Sequence, residues 1–344
     1  MKNELDIKKI DKNNFINMLK SLPLQIKEII NNEDVINNYT VTMLDFKNIL
    51  ICGMGGSAIG GDMAKSLIED DICIPIYINR DYHVPKWVDS HTLVILSSYS
   101  GNTEETLSCY EECTSRNSFN IIMTSGGELL RLGIKKRIPY ALIPLGYMPR
   151  AALGYSVSII LRILHSYGII DEKPINALSE CIVPLKQQSD EYSIIDCSKN
   201  KAINLASKIF NKFNIIYTSK KMEVLGLRFR AQLAENSKIL STHFIFPEQN
   251  HNEIEGFQNL YINNINIIWI DDIDNHKKIS KRMDATKKLL ANINHIDISF
   301  EDTCYFKRQM QLIYFLDWVS FYCAIYNNTN PYSIDLISEL KDML

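Results

Sequence analysis

The stretch Ile49–Asp62 reads ILICGMGGSAIGGD, a short apolar run followed by a glycine-rich turn and a segment of helical composition. Lys47–Cys52 (KNILIC) is short, mostly apolar and rich in β-prone residues. This pattern is typical of a strand that is covered on both faces of a sheet. The sequence therefore predicts a buried strand that passes through a tight turn directly into a helix.

The turn itself has the composition of an anion-binding site. Gly53, Gly55 and Gly56 let the backbone turn sharply, and Ser57 is predicted to be the N-cap of a helix over Ala58–Glu69. Backbone N–H groups at a helix start favour a bound anion. The stretch fits only the first part of a dinucleotide fingerprint and lacks the P-loop lysine, so one phosphate suits it better. A tight turn without a ligand is the alternative.

A second turn of this kind reads SSYSGNTEE over residues 97–105. The hydroxyls of Ser98, Ser100 and Thr103 follow a predicted strand, His91–Ser97, and precede a predicted helix, Thr103–Ser115. Serine and threonine at a helix start are often simple caps. Two such turns on neighbouring strands make a shared phosphate site the better interpretation.

The first half of the chain alternates strands with helices. Helical material is predicted over Asp11–Asn38, and a short helix after the turn at residues 125–127. The alternation predicts an α/β fold with a parallel sheet and helices on both faces, whose ligands lie at the carboxyl ends of the strands. The further predicted strands are Ile72–Asn79, Phe119–Met123 and Pro139–Ile143.

Composition limits the possible functions. The chain has 344 residues, 46% of them hydrophobic, which is enough for two domains of ordinary size. The net charge is −3, from 37 basic and 40 acidic residues without a long basic run. This balance argues against a nucleic-acid partner or a membrane surface. We find neither an apolar run of transmembrane length nor a targeting segment, so we expect a soluble, cytoplasmic protein.

The eight cysteines are scattered and form no CxxC motif. We expect reduced, buried thiols rather than disulfides. Cys109 and Cys113 are one helical turn apart, but no histidine or second cysteine pair accompanies them, so a metal site is the weaker interpretation.

Five motifs in order resemble one family. GMGGSAIGGD and SSYSGNTEET are similar to the phosphate-binding turns of a sugar isomerase (SIS) domain, and three later motifs narrow the resemblance to bifunctional phosphoglucose/phosphomannose isomerases. The tail differs from the usual family pattern, with Asn330-Pro331-Tyr332-Ser333-Ile334 where an Asp-Pro, a further proline and a small β-branched residue are more common. The later motifs are MPRAALGY (148–155), LAENSK (233–238) and NHNEIEG (250–256), and the tail spans residues 330–341.

The resemblance implies two SIS domains, each a doubly wound, mainly parallel sheet flanked by helices. We expect an N-terminal domain over residues 1–150, a helical connection over 151–198 with a break at Lys173-Pro174, and a C-terminal domain over 199–344. Only the first domain is expected to hold phosphate, because no glycine turn follows the first strand of the second half. Predicted strands there are Asn214–Thr218, Thr242–Phe246 and Asn264–Asp271, and predicted helices are Met222–Lys238, Asn275–Asn292 and Phe306–Tyr326.

The resemblance also implies an aldose–ketose isomerase that moves a proton between C2 and C1 of a hexose 6-phosphate through an enediol, without a metal or cofactor. Glu235 matches the family base, and His251 matches the histidine that serves ring opening from the neighbouring subunit, which implies a homodimer. Arg150 is expected beside the enediolate, and Lys341 matches a lysine near the ring oxygen. The implied phosphate residues are Gly55, Gly56, Ser57, Ser98, Ser100 and Thr103.

Simpler explanations exist for these residues. Glu235 could be a solvated helix-surface carboxylate paired with Lys238, and Arg150 could lie over the sheet edge with its charge in water. The other six histidines stand outside any motif and are expected to be structural or solvated.

Two other functions remain open. The first is another SIS enzyme, such as an isomerase of a different sugar phosphate or an amido-sugar synthase module. Against the latter, no cysteine nucleophile follows Met1 and no glutaminase-like domain precedes the turn. The second is a non-catalytic sugar-phosphate sensor. We find no basic helix-turn-helix extension before Lys47, and a sensor has no need of Glu235, Arg150 and His251 together.

Overall fold

The computed structural model describes residues 4–40, 45–259 and 264–343. The chain forms two compact units: residues 21–182, here the N-terminal unit, and residues 1–20 with 183–344, here the C-terminal unit. This division differs from the domain ranges 1–150, 151–198 and 199–344, which stay a prediction. The two units are described separately.

Ten strands lie within the described residues. They are β1 (Ile36–Asn37), β2 (Asn48–Cys52), β3 (Ile76–Asn79), β4 (Thr92–Ser98), β5 (Phe119–Thr124), β6 (Tyr140–Leu142), β7 (Phe213–Ser219), β8 (Ser241–Phe246), β9 (Ile265–Ile270) and β10 (Asn294–Ile298).

Fourteen α-helices accompany these strands in the described part of the chain. They are α1 (Glu4–Ile10), α2 (Phe15–Lys20), α3 (Leu22–Ile30), α4 (Gly55–Ile68), α5 (Glu104–Ser115), α6 (Gly127–Lys136), α7 (Leu153–Ser166), α8 (Lys173–Glu180), α9 (Ile182–Tyr192), α10 (Lys201–Ile209), α11 (Glu223–Ser237), α12 (Lys277–Leu289), α13 (Tyr305–Tyr326) and α14 (Asp335–Met343).

The sheet of the N-terminal unit has the order β1-β6-β5-β4-β2-β3. Its strand pairs are parallel except for β1 with β6, which is antiparallel. The central strand β4 is buried along its whole length, as expected for a strand with helices on both faces. The predicted α/β fold with a mainly parallel sheet is confirmed.

The C-terminal unit is built on a second, parallel sheet of order β10-β9-β7-β8. Strand β9 is buried throughout, and the 22-residue helix α13 buries most of its length. Helix α11 packs along α13. On the sheet itself, a core cluster that includes Tyr217, Phe246, Trp269 and Met283 lies between the strands and α12.

Helix α4 begins earlier than predicted. Met54 is its N-cap, with extended backbone angles, and the Met54 carbonyl accepts hydrogen bonds from the N–H groups of Ser57 and Ala58. The prediction that Ser57 is the N-cap was wrong, because Gly55 already enters the helix. Ser57 instead lies in the first turn of the helix, where its hydroxyl is directed to another part of the sheet edge.

Three other local predictions were wrong. The helical stretch predicted over Asp11–Asn38 contains helices α2 and α3 but ends at Ile30 and is followed by strand β1, and residues 72–75 are not part of β3. The break predicted at Lys173-Pro174 is present, because α7 ends at Ser166 and Pro174 lies in the first turn of the next helix, α8, where proline fits. Strand β10 was missed because its sequence, NHIDI, is polar and half-exposed, as is common at a sheet edge.

Most cysteines are buried as predicted, but Cys73 is exposed, and Cys197 and Cys304 are only partly covered. No helix in the described ranges combines the length and the apolar content that a membrane span requires.

Candidate functional site

The two predicted anion-binding turns leave the same edge of the first sheet. Strands β2 and β4 are parallel neighbours, and Cys52 at the end of β2 pairs with Leu96 of β4. The turn that starts helix α4 and the turn that starts helix α5 therefore lie side by side at the carboxyl ends of their strands. In an open α/β sheet this is where ligands bind.

Hydrogen bonds tie these two turns together. The Ser57 hydroxyl accepts a hydrogen bond from the N–H of Tyr99 at 3.1 Å, and the Ser97 hydroxyl donates to the Ser57 carbonyl at 3.0 Å. Both bonds lie in the buried or half-buried part of the edge. Ser57 is thus a structural link between the turns as well as a candidate phosphate residue.

The second turn is organised around two hydroxyls. Ser98 Oγ lies 2.7 Å from Thr103 Oγ1 and also accepts a hydrogen bond from the N–H of Gly101 at 3.1 Å. Thr103 is the N-cap of α5, but its side chain forms no capping hydrogen bond. Its hydroxyl is therefore directed toward Ser98 and the turn. Ser100 is exposed and accepts a hydrogen bond from the N–H of Asn102 at 3.2 Å.

Glycine is required at two points of this edge. Gly101 has φ of +71°, and a Cβ added to it would lie 1.8 Å from the carbonyl oxygen of Gly126. A Cβ on Gly56 would lie 2.7 Å from the backbone nitrogen of Arg150 and 2.7 Å from the carbonyl carbon of Pro149. Gly55, with φ of +49°, faces open space. Only a glycine lets the first turn approach the Pro149–Ala151 segment so closely.

Arg150 lies in a 3-10 helix, Pro149–Ala151, that directly precedes α7. Arg150 is only 3% exposed. The alternative in which its side chain lies over the sheet edge with its charge in water is therefore wrong. A buried guanidinium is costly unless it is paired, which is why such residues are often found where a charge must be stabilised. Its backbone contact with Gly56 places Arg150 next to the first turn.

Glu235 is in the last turn of α11 and is half-buried. Lys238, the C-cap of this helix, donates to three carbonyl oxygens: Glu235 at 2.7 Å, Asn330 at 3.3 Å and Ser333 at 2.6 Å. A lysine at this position satisfies helix-end carbonyls and suits the negative end of the dipole. Lys238 therefore joins the end of α11 to the segment that leads into α14.

A buried polar network fixes α11 against α13. Arg228 binds both carboxylate oxygens of Asp317, Nε to Oδ1 at 2.9 Å and Nη2 to Oδ2 at 2.7 Å, and Gln232 donates to Oδ1 at 3.0 Å. Asn236 donates to the hydroxyl of Ser320 at 2.9 Å. Arg228, Gln232 and Asn236 are spaced four residues apart and therefore lie on one face of α11. The helix that carries Glu235 is thus bonded to α13 at three successive turns.

The structure places the remaining two predicted catalytic residues on the surface of the C-terminal unit. His251 ends a 3-10 helix, Glu248–His251, that follows β8, and its side chain is exposed. Lys341 is in the terminal helix α14, in which no residue is buried. Both are therefore accessible to a ligand.

The predicted site residues are thus distributed over both units. In the N-terminal unit the structure brings the two turns together with Arg150. In the C-terminal unit it places Glu235, Lys238 and the start of the terminal segment together.

Cys109 and Cys113 lie in the hydrophobic core of the N-terminal unit. Cys109 and Cys113 belong to the apolar core beneath β2 and β4, with Cys52. Cys109 Sγ accepts a hydrogen bond from the Asn79 side chain at 3.2 Å and lies 3.2 Å from the Asp81 carbonyl oxygen. In the parts of the chain that the structure describes, no group of three or more histidine, cysteine or acidic side chains is arranged to hold a metal ion.

Two site features escaped the sequence prediction. Tyr99 links the edge through its backbone to Ser57 and through its hydroxyl to Pro144 and Tyr147. Asn102 accepts a hydrogen bond from the N–H of Glu128 at the start of α6, which ties in a third turn. Their positions inside the SSYSGNTEE motif were the available signal, because the predicted anion-binding role of that motif uses only its hydroxyl groups and its glycine.

Comparison with solved structures confirms the fold. The C-terminal domain of glucosamine-fructose-6-phosphate aminotransferase from Francisella tularensis superposes with a TM-score of 0.70 at 15% identity, covering 91% of this chain and 96% of that one. Residues 198–344 match the family model described as the bacterial phospho-glucose isomerase C-terminal SIS domain. The chain is thus an α/β protein whose part over residues 198–344 is similar to an SIS domain.

Curated relatives identify the family. The chain is 37% identical over 311 residues to a bifunctional phosphoglucose/phosphomannose isomerase from Caldicellulosiruptor bescii, which covers 87% of this chain and 90% of the relative. A protein of the same name from Aquifex aeolicus is 31% identical over 317 residues, 91% of this chain and 93% of the relative. The chain belongs to the bifunctional phosphoglucose/phosphomannose isomerase family and is an isomerase.

Proposed function

We propose that this protein interconverts glucose 6-phosphate and mannose 6-phosphate with fructose 6-phosphate. The observation that carries the proposal is the 37% identity to a relative of that name over 87% of the chain. The glycine-rich turn and the serine-rich turn at one sheet edge support a phosphorylated substrate, because they combine hydroxyls with the N-termini of two helices.

The proposed reaction is a proton transfer through a cis-enediol, without a metal. Glu235 removes the proton from C2 of the aldose and returns it to C1, a general base role worth about 10²–10⁴-fold in rate. The enediolate that forms carries negative charge on oxygen. Arg150, buried and permanently charged, stabilises that charge.

Ring opening requires a group that both donates and accepts a proton near neutral pH. We assign this role to His251, with Lys341 near the ring oxygen. The phosphate is assigned to the backbone and hydroxyl groups of the two turns, that is to Gly55, Gly56, Ser57, Ser98, Ser100 and Thr103.

The proposal includes the architecture and assembly that the resemblance implied. Each half of the chain is an SIS domain, with an N-terminal domain over residues 1–150, a connection over 151–198 and a C-terminal domain over 199–344. The protein acts in the cytoplasm as a homodimer in which each subunit receives His251 from its neighbour.

A coupled assay tests the function directly. Fructose 6-phosphate formation is followed from glucose 6-phosphate and, separately, from mannose 6-phosphate, with EDTA present throughout. Turnover of both substrates supports the proposal, and turnover of glucose 6-phosphate alone removes the mannose part. Binding of both without turnover would indicate a sugar-phosphate sensor. Loss of activity in EDTA that Zn²⁺ restores would contradict the metal-free mechanism.

A further inference from the structure

A buried hydrogen-bond network lies beneath the 3-10 helix that carries His251. The Tyr217 hydroxyl donates to Glu253 Oε2 at 2.8 Å, and it accepts a hydrogen bond from Gln249 Nε2 at 3.2 Å. Tyr217 is fully buried and Gln249 is 1% exposed. Gln249 precedes His251 by two residues and Glu253 follows it by two, so one hydroxyl is bonded on both sides of the histidine.

Tyr217 is itself held in a fixed position. It lies in the middle of strand β7, and its ring packs against Phe246 at 5.6 Å and Trp269 at 5.0 Å between centroids. Aromatic packing of this kind leaves a buried ring few alternative rotamers. The hydroxyl is therefore presented to the His251 segment by the core of the sheet.

A second anchor acts on the same segment from α12. Asn250 donates to Thr286 Oγ1 at 3.0 Å and to Gln249 Oε1 at 2.8 Å. Thr286 is 2% exposed. Gln249 and Asn250 before His251 and Glu253 after it are thus bonded to buried groups, whereas the histidine side chain itself is exposed.

Such a network is costly to retain for stability alone. Burial raises the pKa of the Glu253 carboxyl, while the hydrogen bonds from Tyr217 and Gln249 act against that rise. Glu253 is half-buried, and removing a carboxylate from water is unfavourable unless hydrogen bonds satisfy it. What the carboxylate and the hydroxyl do supply is direction, since their hydrogen bonds fix one orientation of the segment.

We propose that Tyr217 and Glu253 are positioning residues that hold His251 in the orientation required for opening the sugar ring. The inference rests on the proposed function, in which His251 performs that step. Neither residue needs to touch the substrate. Their effect on the reaction passes through the backbone of the segment Gln249–Glu253.

A double-mutant cycle tests this. Tyr217→Phe removes the hydroxyl and keeps the ring, and we expect kcat for glucose 6-phosphate to fall about 10- to 100-fold with KM little changed, the cost of a slightly misplaced catalytic group. In a His251→Ala background the same substitution should change kcat less than about twofold, since no histidine remains to be positioned. Equal falls in both backgrounds would overturn the proposal.

Conservative and matched variants separate positioning from folding. Glu253→Gln keeps an acceptor for the Tyr217 hydroxyl and should retain most of kcat, whereas Glu253→Ala should lower it as Tyr217→Phe does. Tyr314→Phe removes another buried hydroxyl of this unit, which donates to the Leu19 carbonyl at 3.0 Å, and should leave kcat unchanged. If Tyr217→Phe does not fold, the test is the comparison of kcat between Glu253→Gln and Glu253→Ala. Equal kcat in these two variants would overturn the proposal.

The outcomes also distinguish this inference from the proposed function. Wild-type protein that turns over neither hexose 6-phosphate refutes the function. If the wild type is active and His251→Ala is equally active, the assignment of ring opening to His251 is refuted. The positioning role of Tyr217 and Glu253 is then refuted as well. Activity that falls in His251→Ala but not in Tyr217→Phe or Glu253→Ala refutes the positioning role alone.

Discussion

Gly56 packs directly against the backbone of Arg150. A Cβ on Gly56 would lie 2.7 Å from the Arg150 nitrogen, although 94 residues separate the two positions. Gly56 is therefore needed because its lack of a side chain lets two backbone segments lie in contact, in addition to its place in the turn. It connects the first phosphate turn to the segment that carries the proposed enediolate-stabilising arginine.

This contact predicts the effect of adding one methyl group. Gly56→Ala should lower the free energy of unfolding by about 1–3 kcal/mol, because backbone atoms cannot move aside as a flexible side chain can. It should also lower kcat, since Arg150 would be displaced. Urea denaturation and the coupled assay measure the two effects. Gly126→Ala is the matched control, since a Cβ there meets no atom within 4 Å and its φ of 168° is extended.

The phosphate assignment predicts a change in KM. In Ser57→Ala with Thr103→Ala, the substrate phosphate would lose hydroxyl partners, and Ser57 would also lose its bond from Tyr99. A hydrogen bond to a charged group contributes about 1.5–3 kcal/mol, so KM should rise about 10-fold or more, with a smaller effect on kcat. Initial rates over a range of glucose 6-phosphate concentrations measure it.

Ser115→Ala removes an exposed hydroxyl at the other end of α5 and should leave KM unchanged. An unchanged KM in the double variant would remove the phosphate from these turns.

The sequence predicted this edge of the sheet well because the signals there are local. A buried strand, a glycine turn and a helix start follow one another within fourteen residues, and each has a strong residue preference. The predicted start of α4 at Ala58 was still wrong. The helix begins at Gly55, closer to the strand, and its N-cap is Met54. Ser57 stays a predicted phosphate residue, and its hydrogen bond from Tyr99 was not predicted.

The parts that the sequence could not predict depend on contacts between distant residues. Nothing in the neighbourhood of Tyr217 indicates that its hydroxyl meets Glu253, 36 residues later, because that contact requires the register of the second sheet. The same applies to Arg228 and Asp317, which are 89 residues apart. Strand β10 was missed for a different reason, since a polar edge strand lacks the apolar pattern that defines a central one.

The role of Glu235 predicts a loss of chemistry without a loss of binding. Glu235→Gln is nearly isosteric but cannot accept a proton, so kcat should fall about 10²–10⁴-fold while the dissociation constant of glucose 6-phosphate stays within about twofold. Initial rates and isothermal titration calorimetry measure the two quantities.

Glu223→Gln, at the other end of the same helix and paired with Lys220, is the control and should retain wild-type kcat. If Glu235→Gln keeps its activity but loses substrate binding, Glu235 is not the base.

The buried pair Arg228–Asp317 predicts a large effect on stability. Both side chains are at most 4% exposed, so Asp317→Asn removes a negative charge that directly faces a buried guanidinium. Breaking such a pair costs about 3–5 kcal/mol. Urea denaturation should show this loss. Asp190→Asn breaks a surface pair with Lys186, in which both side chains are more than 60% exposed, and should cost about 1 kcal/mol or less. Similar losses in the two variants would contradict the importance of the buried pair.

His243 predicts a pH dependence of stability. It lies against Gly226 of α11, and its Nε2 is 2.8 Å from Thr218 Oγ1. Burial lowers the pKa of His243 to about 4, an effect to which Arg230 adds and which Glu223 opposes. Between about pH 6.5 and 4 the unfolded chain therefore binds a proton at this residue that the folded protein does not. The free energy of unfolding should fall through this window as the pH is lowered.

Carboxylates titrate in the same window, so the test is a difference between variants. His243→Gln keeps a polar group near Thr218 and removes the titration, and its free energy of unfolding should fall less steeply from pH 6.5 to 4 than that of the wild type. His83→Gln, whose side chain is 87% exposed, should follow the wild-type curve. If His243→Gln and the wild type show the same slope, His243 takes up its proton equally in the folded and unfolded states, and its burial has no influence on acid stability.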